Sequence, residues 1–293
     1  MKKPVKKIAN VAVVVANYNN GRFLRAFIQS ILASTMLPEQ LIIVDDGSTD
    51  RSRKILKELK NIPRATFIFS EKNEGFANAL NKGIAAVKTA YIMRADPDDL
   101  VLPSKIEKQY EFLQAHPEIC GVGCNVEYFH VETVRKLNRS NFPIGTEAVK
   151  KAYLKGEHGL QHPTIMMKAE VFKEYPYHQN QFPAEDYDIF ARLIAQGCKF
   201  SNLSEVLYRM RIHPDSVSSR LKYETIQKTF LLQDELFGIR TSKLKQKTYF
   251  YHIHFYRRYL LNRNIMKRAC FLLLSIMFYP QKLVKRIKLW FVN

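Results

Sequence analysis

Short apolar runs alternate with helical patterns along the first third of the chain. Four runs have the length and composition of buried strands, at residues 8–16, 41–44, 65–69 and 90–93. Between them, apolar residues recur every three or four positions, which predicts helices over residues 22–34, 50–59 and 77–87. Pro38 is expected to break the chain before the second strand. This order predicts an α/β fold in which helices flank a mostly parallel central sheet.

The second half of the chain follows a less regular pattern. Helical spacing recurs at residues 105–113, 186–196, 223–237 and 243–259, and residues 119–129 are typical of a strand. We divide the chain into an α/β domain of residues 1–220 and a C-terminal helical extension of residues 221–293. An apolar fraction of 46% can form a sizeable core, which excludes a disordered chain.

Polar clusters follow all four predicted strands of the first third. They occupy residues 17–20, 45–48, 73–75 and 96–99. Because the carboxyl ends of parallel strands meet at one edge of the sheet, ligands bind there. One such cluster would be an ordinary loop, whereas four of them predict a single site assembled from distant segments.

The cluster after the fourth strand, Asp96-Pro97-Asp98-Asp99, carries three carboxylates within four residues. Like charges this close repel one another, and a hard cation bound between them would relieve the repulsion. Mg²⁺ and Mn²⁺ accept such oxygen ligands and complete their shells with water and phosphate oxygens. The alternative is a solvated acidic turn in which Asp98 or Asp99 caps the next helix.

The second predicted strand ends in Asp45-Asp46-Gly47-Ser48. A carboxylate at this point could accept hydrogen bonds from a nucleobase or a ribose hydroxyl. The alternative is a tight turn that leads into a helix, with Ser48 or Asp50 as its N-cap.

An ordered series of motifs resembles glycosyltransferase family 2 over about residues 8–220. The series opens with residues 11–50, which include Asn17-Tyr18-Asn19 and the acidic strand end at 45–50. Its later members are Asn73-Glu74-Gly75 with Asn81-Lys82-Gly83, residues 93–99, His162-Pro163-Thr164, Glu185-Asp186-Tyr187-Asp188 with Arg192-Leu193, and Arg211-Ile212-His213 with Ser216 and Ser218. Each motif is weak alone, but six in this order are specific. Ala16 stands where the family usually has another residue, and Pro97 fills the variable place of the metal motif.

The resemblance implies a GT-A fold and metal-dependent transfer, with inversion, of a hexosyl or N-acetylhexosaminyl group from a nucleotide-diphosphate donor. The donor of this family is usually UDP-linked and the metal Mn²⁺ or Mg²⁺. Asp98 is the expected metal ligand with Asp96 and Asp99 beside it, and His213 would bind the metal or the diphosphate. Asp186 matches the general base. The implied donor-binding residues are Ala16, Asn17, Tyr18, Asp45, Asp46, Asn73, Asn81, Arg94, Asp96, Glu185 and Arg211.

Three of these interpretations keep a structural alternative. Asp186 stands at the start of a predicted helix, where it could serve as the N-cap instead of the base. The ring of Tyr18 could stack on the nucleobase or pack against the protein. His162 precedes a proline and is interpreted as structural or as part of the acceptor site.

Positive charge is concentrated at the C-terminus. The chain has 46 Lys and Arg against 27 Asp and Glu, a formal net charge of +19, and no acidic residue follows Glu235. Such a tail favours a polyanionic partner, either nucleic acid or an anionic lipid surface. Apolar and aromatic residues interleave with the cations from Lys267 to Trp290 and Phe291, as in a helix at a membrane interface. The alternative is a terminal helix packed on the domain with a solvated basic face.

Two other functions fit parts of the sequence less well. A nucleic-acid-binding module would predict base-stacking platforms or a known motif, and the acidic strand ends would repel phosphate. A nucleotidyltransferase would need a basic phosphate-binding loop early in the chain, but residues 17–21 carry no cation. We therefore expect a glycan or lipid-linked acceptor and no nucleic acid. Four cysteines interpreted as free thiols, and a longest apolar stretch too short to span a bilayer, predict a cytoplasmic protein on the inner face of the cell membrane.

Overall fold

The computed structural model describes residues 6–131, 136–213, 222–262 and 264–280. Within these ranges the strands are β1 Lys7–Asn17, β2 Met36–Asp45, β3 Ala65–Phe69, β4 Tyr91–Arg94, β5 Leu100–Val101, β6 Gly121–His130, β7 Lys136–Arg139, β8 Met166–Lys168 and β9 Phe200–Ile212. The α-helices are α1 Gly21–Leu32, α2 Ser52–Glu58, α3 Phe76–Ala85, α4 Lys105–Ala115, α5 Thr146–Tyr153, α6 Ala169–Glu174, α7 Glu185–Ala195, α8 Tyr223–Phe237, α9 Lys243–Leu261 and α10 Ile265–Phe278. Short 3-10 helices cover His162–Thr164 and Gln179–Gln181.

The described strands form one sheet in the order β3-β2-β1-β4-β8-β6-β9-β5, and β7 pairs with β6. The first four strands are parallel to one another, as the alternating sequence pattern predicts. β8 is antiparallel to both β4 and β6, so β6 runs in the same direction as β4. β6 and β9 are parallel, whereas β5 and β7 are antiparallel edge strands. The predicted α/β fold with a mostly parallel sheet is confirmed.

Alternate residues of the central strands belong to two apolar cores, one on each face of the sheet. On β1, Ala12 and Val14 belong to one core, together with α3 and α7. Val11 and Val13 belong to the other, together with α1 and α4. Burial on both faces explains why these strands are continuously apolar rather than alternating.

The expected break at Pro38 is wrong. β2 begins at Met36, and Pro38 pairs with Ala9 of β1 inside the strand. β3 joins β2 only from Leu41 onward, so at Pro38 the strand has a partner on one side alone. A register shift between Ala9 and Ala12 follows directly. Proline is tolerated at such an edge and bulge because no second ladder needs its missing N–H.

Helices α8, α9 and α10 form the C-terminal part. α8 packs on α7, and a small apolar cluster joins α8 to α9 through Ile226, Phe230 and Tyr249. The predicted helix over residues 223–237 is confirmed, and that over 243–259 continues to Leu261. In the part of the chain that the structure covers, none of the helices has both the length and the apolar character needed to cross a membrane. Ser216, Ser218 and the aromatic and basic tail residues Lys282, Lys285, Arg286, Lys288, Trp290 and Phe291 lie outside the described residues.

Candidate active site

The ends of β1 and β2 are joined by the fully buried carboxylate of Asp45. Asn17 donates from Nδ2 to Asp45 Oδ2 at 2.8 Å and to Ser48 Oγ at 3.2 Å. Asp45 Oδ1 accepts from the Ser48 N–H at 3.1 Å and from Arg53 Nε at 3.0 Å. Asp45 therefore organises the loop that follows β2, and both of its oxygens already bond protein donors.

Asp46 ties the loop after β2 to the loop after β3. Its Oδ1 accepts from the Glu74 N–H at 3.0 Å, and its Oδ2 accepts from the Gly75 N–H at 2.9 Å. Gly47 has φ +72°, and a Cβ there would lie 2.4 Å from the carbonyl carbon of Lys72. The two loops therefore touch so closely that only glycine fits at position 47.

Asn19 and Tyr18 form the turn that follows β1. Asn19 has φ +56°, and its Oδ1 accepts from the N–H groups of Thr49 and Asp50 at 2.8 and 3.2 Å. Tyr18 is 45% exposed beside this turn. The turn holds the Tyr18 ring at the surface of the strand-end cluster, where a planar base could stack on it.

Three other predicted donor-binding residues have structural contacts. Ala16 is buried on β1. Asn73 Oδ1 accepts from the Gly75 N–H at 3.0 Å. Asn81 bonds the main chain of Tyr177 twice, donating to its carbonyl and accepting from its N–H, both at 2.9 Å. Asn81 therefore links α3 to the segment that precedes α7.

Arg94 ends β4 and is almost completely buried. Its Nη2 donates to Asp96 Oδ1 at 2.5 Å, its Nη1 donates to the carbonyl of Ala95, and its guanidinium lies 5.0 Å from the ring centre of Phe76. Burial alone would lower the pKa of Arg94, but the charge of Asp96 and its hydrogen bond raise it. Arg94 is therefore a fixed cation at the carboxyl end of β4.

Three carboxylates meet directly after β4. Asp96, Asp98 and Asp99 each place one oxygen within 4.8 Å of the others. Burial, followed by the charges of Asp98 and Asp96, raises the pKa of Asp99 well above its usual range. Burial also raises the pKa of Asp96, and the Arg94 charge offsets part of this shift. A divalent cation among these oxygens would restore the ionised forms, so the donor set fits a hard metal.

The end of β9 holds the acidic segment from its other side. Arg211 donates from its main-chain N–H to Asp99 Oδ1 at 2.7 Å and from Nε to the Asp98 carbonyl at 2.6 Å. His213 Nε2 lies 2.9 Å from Asp98 Oδ2. The guanidinium of Arg211 also lies 4.7 Å from the ring centre of Phe23. The structure thus brings the predicted residues Arg211 and His213 into direct contact with the carboxylate cluster.

Asp186 lies in the first turn of α7 and is not its cap. The N-cap is Ala184, which makes no side-chain capping bond, and the helix begins at Glu185. The Asp186 side chain is 30% exposed, and its Oδ1 lies 3.4 Å from His158 Nε2 and accepts from the Tyr187 N–H at 2.7 Å. The alternative in which Asp186 caps the helix is therefore wrong.

The adjacent acids Glu185 and Asp186 differ in protonation. Burial, and then the charge of Asp186, raises the pKa of Glu185 to about 8. Burial favours a higher pKa for Asp186 as well, but the charge and the hydrogen bond of His158 outweigh this effect and lower the pKa of Asp186. Glu185 is therefore mainly protonated and Asp186 ionised at neutral pH, an arrangement that separates a proton acceptor from a proton donor.

The carboxylates after β4 and those at the start of α7 influence each other's pKa. The charge of Asp186 contributes to the raised pKa of Asp96, and the charge of Asp96 contributes to the raised pKa of Glu185. Carboxylates at the end of β4 and at the start of α7 therefore lie within electrostatic range of one another.

His162 makes structural contacts with two aromatic residues. Its Nε2 is 2.7 Å from the Tyr177 hydroxyl, and its ring packs edge-on against Phe76. Burial, and then the charge of Arg94, lowers the pKa of His162 to about 3. The imidazole is therefore neutral, and its hydrogen bond orients Tyr177.

Two contacts of the site come from residues that the sequence interpretation does not include. His158 faces Asp186, and the Tyr208 hydroxyl accepts from the Asp96 N–H at 3.0 Å. His158 lies between residues 131 and 182, where the motif series is weakest. Tyr208 lies on β9, a strand whose mixed polar and apolar sequence does not stand out from a loop.

A solved structure shares this architecture. A structure of residues 1–349 of S. aureus TarS in complex with UDP-GlcNAc superposes with a TM-score of 0.63 at 16% identity, over 93% of this chain and 82% of that one. At this identity, the similarity establishes the fold, which is GT-A.

Curated relatives align over most of their own length. The O-antigen biosynthesis glycosyltransferase WbnJ of Escherichia coli is 29% identical over 218 residues, 73% of this chain and 84% of the relative. The UDP-Gal:α-D-GlcNAc-diphosphoundecaprenol β-1,3-galactosyltransferase of Escherichia coli is 26% identical over 217 residues, 72% of this chain and 78% of the relative.

The family model for glycosyl transferase family 2 matches residues 12–176. This segment is more than half of the 293 residues and includes the ends of β1, β2, β3 and β4. The protein therefore belongs to glycosyltransferase family 2 and is a glycosyltransferase with a GT-A fold.

Proposed function

We propose that the protein transfers a sugar, with inversion, from a UDP-linked donor to a hydroxyl group of a glycan or lipid-linked acceptor during the synthesis of a surface glycan. A divalent cation, Mn²⁺ or Mg²⁺, would be held by Asp98 with Asp96 and Asp99. Asp186 is the proposed general base. We place the catalytic domain at residues 1–220 and the helical extension at residues 221–293.

The observation that carries the proposal is the convergence of three carboxylates within 4.8 Å at the end of β4. When bound there, the cation would neutralise charge on the leaving nucleoside diphosphate. Arg94 and Arg211 contact the same acidic segment and add positive charge next to it. Asp98 is the first choice of ligand because its side chain is partly exposed and His213 supplies a nitrogen 2.9 Å from its Oδ2.

Asp186 supports the chemical step on the acceptor side. The acceptor oxygen forms a bond to the anomeric carbon while the bond from that carbon to the diphosphate oxygen breaks, and the hydroxyl proton passes to Asp186. Its lowered pKa keeps Asp186 ionised, and 30% exposure leaves the carboxylate accessible to a substrate hydroxyl. Protonated Glu185 beside it remains available as a hydrogen-bond donor to a sugar oxygen.

The nature of the donor is supported by the relatives. The galactosyltransferase relative is named for a UDP-linked donor, and the TarS structure contains UDP-GlcNAc. In this chain, Tyr18 offers an exposed ring next to the polar loops after β1 and β2. We propose that the uracil stacks on Tyr18 and that the loops fixed by Asp45 and Asp46 bind the ribose.

A membrane-bound acceptor is supported by the surface of α10. Met266, Leu273 and Met277 lie on one side of the helix and are 79, 67 and 64% exposed. Lys267 is exposed in the same helix. This combination suits a helix that lies in the headgroup region of an anionic leaflet. We propose that the protein binds peripherally to the cytoplasmic face of the cell membrane, where lipid-linked acceptors would be within reach.

A panel of nucleotide sugars tests the proposed function. Purified protein is incubated with UDP-, GDP-, dTDP- and CMP-linked sugars, with Mn²⁺, with Mg²⁺ or with a chelator, and the released products are separated by chromatography. We expect metal-dependent release of UDP from a UDP-sugar. Release of pyrophosphate in a parallel incubation with UTP and a sugar 1-phosphate would instead identify a nucleotidyltransferase. Turnover of the nucleotide sugar that a chelator leaves unchanged would contradict the metal role.

A further inference from the structure

A cleft of about 160 Å³ lies between the sheet and the C-terminal helices. β6, β9 and the turn before the first 3-10 helix form one wall, and α9 forms the other. Most of the surface is apolar, as at Met210, Ile253 and Leu260, while Gln161 and Arg257 supply polar groups. A small apolar cleft with a few polar groups is the usual composition of a ligand site.

Arg257 of α9 lines this cleft and is half-buried. Its Nη1 atom is inaccessible to solvent and has no hydrogen-bond partner among the described residues. Other arginines of the protein bond carboxylates, as Arg94 bonds Asp96 and Arg192 bonds Asp188. Burying a guanidinium without a counter-ion is unfavourable, so its position indicates a ligand.

Burial lowers the pKa of Arg257 to about 10, against the opposing charges of Tyr249, Tyr128 and Asp186. Arg257 therefore stays cationic at neutral pH and lies within electrostatic range of the proposed base. Gln161, which lines the cleft, directly precedes His162, whose ring contacts Phe76 and Tyr177 beside Arg94.

We propose that the cleft binds an anionic group of the acceptor, and that Arg257 pairs with it. Phosphate and carboxylate groups both match the two parallel N–H groups of a guanidinium. The anion is thus either a phosphate, as on a lipid-linked glycosyl diphosphate, or the carboxylate of an acidic sugar. This inference rests on the proposed function, because it assigns the cleft to the acceptor. It makes α9 part of the substrate site rather than only a support for the catalytic domain.

Three probes that share one sugar ring distinguish the sources of the anion. Glucose 1-phosphate, glucuronate and methyl glucoside are titrated separately into the full chain and followed by ligand-observed NMR. UDP and Mg²⁺ are held at saturation so that the donor side is filled. We expect at least one anion to bind about tenfold or more tightly than methyl glucoside, as for a charge-assisted hydrogen bond. The tighter anion identifies the source.

The variants Arg257→Gln and Arg257→Lys test the residue. The preference for the anion should vanish in Arg257→Gln and fall to an intermediate value in Arg257→Lys, which keeps the charge but loses the planar fork. Arg258→Gln is the matched control, because Arg258 is exposed on the same helix and lies over the ring of Phe271. Its anion preference should equal that of the wild type.

Two results would overturn the inference. One is an anion preference that persists in Arg257→Gln. The other is a wild type that binds neither anion more tightly than methyl glucoside. UDP binding is recorded in the same samples. Normal UDP binding without anion preference defeats only this inference, whereas absent UDP binding defeats the proposed function.

Discussion

Nε2 of His158 lies 3.4 Å from Oδ1 of Asp186, and the neighbouring Glu185 has no such partner for its buried Oε2 among the described residues. This difference separates two adjacent acids into one that is ionised and one that is protonated at neutral pH. We therefore expect substitutions of Glu185 and of Asp186 to have different effects.

Asp186→Asn removes the proposed proton acceptor while keeping the shape of the side chain. We expect kcat to fall by about 10²–10⁴-fold, the usual contribution of a general base, with little change in UDP affinity. Steady-state transfer assays and calorimetry with UDP measure the two quantities. Asp234→Asn, on α8, is the control and should keep normal turnover. Near-normal turnover in Asp186→Asn would remove the residue from the mechanism.

His158→Ala removes the group that lowers the pKa of Asp186. The lowered pKa keeps Asp186 ionised as the pH falls. In the variant the pKa of Asp186 should rise, so the acidic limb of the kcat/KM profile should move to higher pH. The pH profile of transfer measures the shift. His178→Ala is a matched control, since His178 Nδ1 lies 3.3 Å from Asp188 and not from Asp186. An unchanged acidic limb in His158→Ala would contradict the assigned contact.

Asp98→Ala removes the carboxylate that we expect to bind the cation directly. UDP binding in the presence of Mn²⁺ should weaken by about tenfold or more, and the difference between binding with and without metal should shrink. Calorimetry with and without a chelator measures both. Glu205→Ala serves as a control because Glu205 is an exposed carboxylate paired with Lys108. Equal affinity with and without metal in the wild type would refute the metal role.

Gly47→Ala should disturb the loops after β2 and β3. Gly47 and Gly197 both have positive φ, but they differ in the space around an added Cβ. At Gly47 the Cβ would lie 2.4 Å from the Lys72 main chain, whereas at Gly197 nothing lies within 4 Å of it. Gly197→Ala should therefore lower the free energy of unfolding by about 1–2 kcal/mol, the cost of the conformation alone. Gly47→Ala should cost more and should also weaken UDP binding. Urea unfolding and calorimetry measure the pair, and equal losses would show that the close approach is relieved without strain.

The double variant Leu273→Ser, Met277→Ser tests contact of α10 with lipid. We expect co-sedimentation with phosphatidylglycerol vesicles to decrease, because two exposed apolar side chains leave the proposed interface. Leu244→Ser is the control, since Leu244 is 73% exposed on α9 and outside that side of α10. Raised salt should weaken the binding of the wild type. Wild-type protein that stays in the supernatant would contradict the membrane role.

The positions of the candidate site residues were predictable where they depend on local sequence. The carboxylates at 45–46 and 96–99 closely follow apolar runs that have the length and composition of buried strands, so their position at the sheet edge follows from the strands. His158 could not be found in this way, because its contact with Asp186 joins two segments that no local pattern relates. The two hydrogen bonds of Asn81 to Tyr177 are likewise invisible until the chain is folded.

The same reasoning explains the errors in the fold. β9 mixes polar and apolar residues because it lies between β6 and the short β5, and neither a helical nor a strand period dominates. Pro38 is compatible with its strand only because β3 starts farther along, a fact about a different segment. Local pattern therefore predicts the parallel first half of the sheet better than the mixed second half.

Arg211 bonds Asp99 and Asp98 across 112 and 113 positions of the chain. A nascent polypeptide that ends before β9 therefore lacks the contacts of Arg211 with the acidic segment, even though all three aspartates have already been synthesised. If this segment binds the donor as proposed, we expect donor binding to arise only after β9 has been synthesised and paired with β6, because these contacts are long-range in sequence.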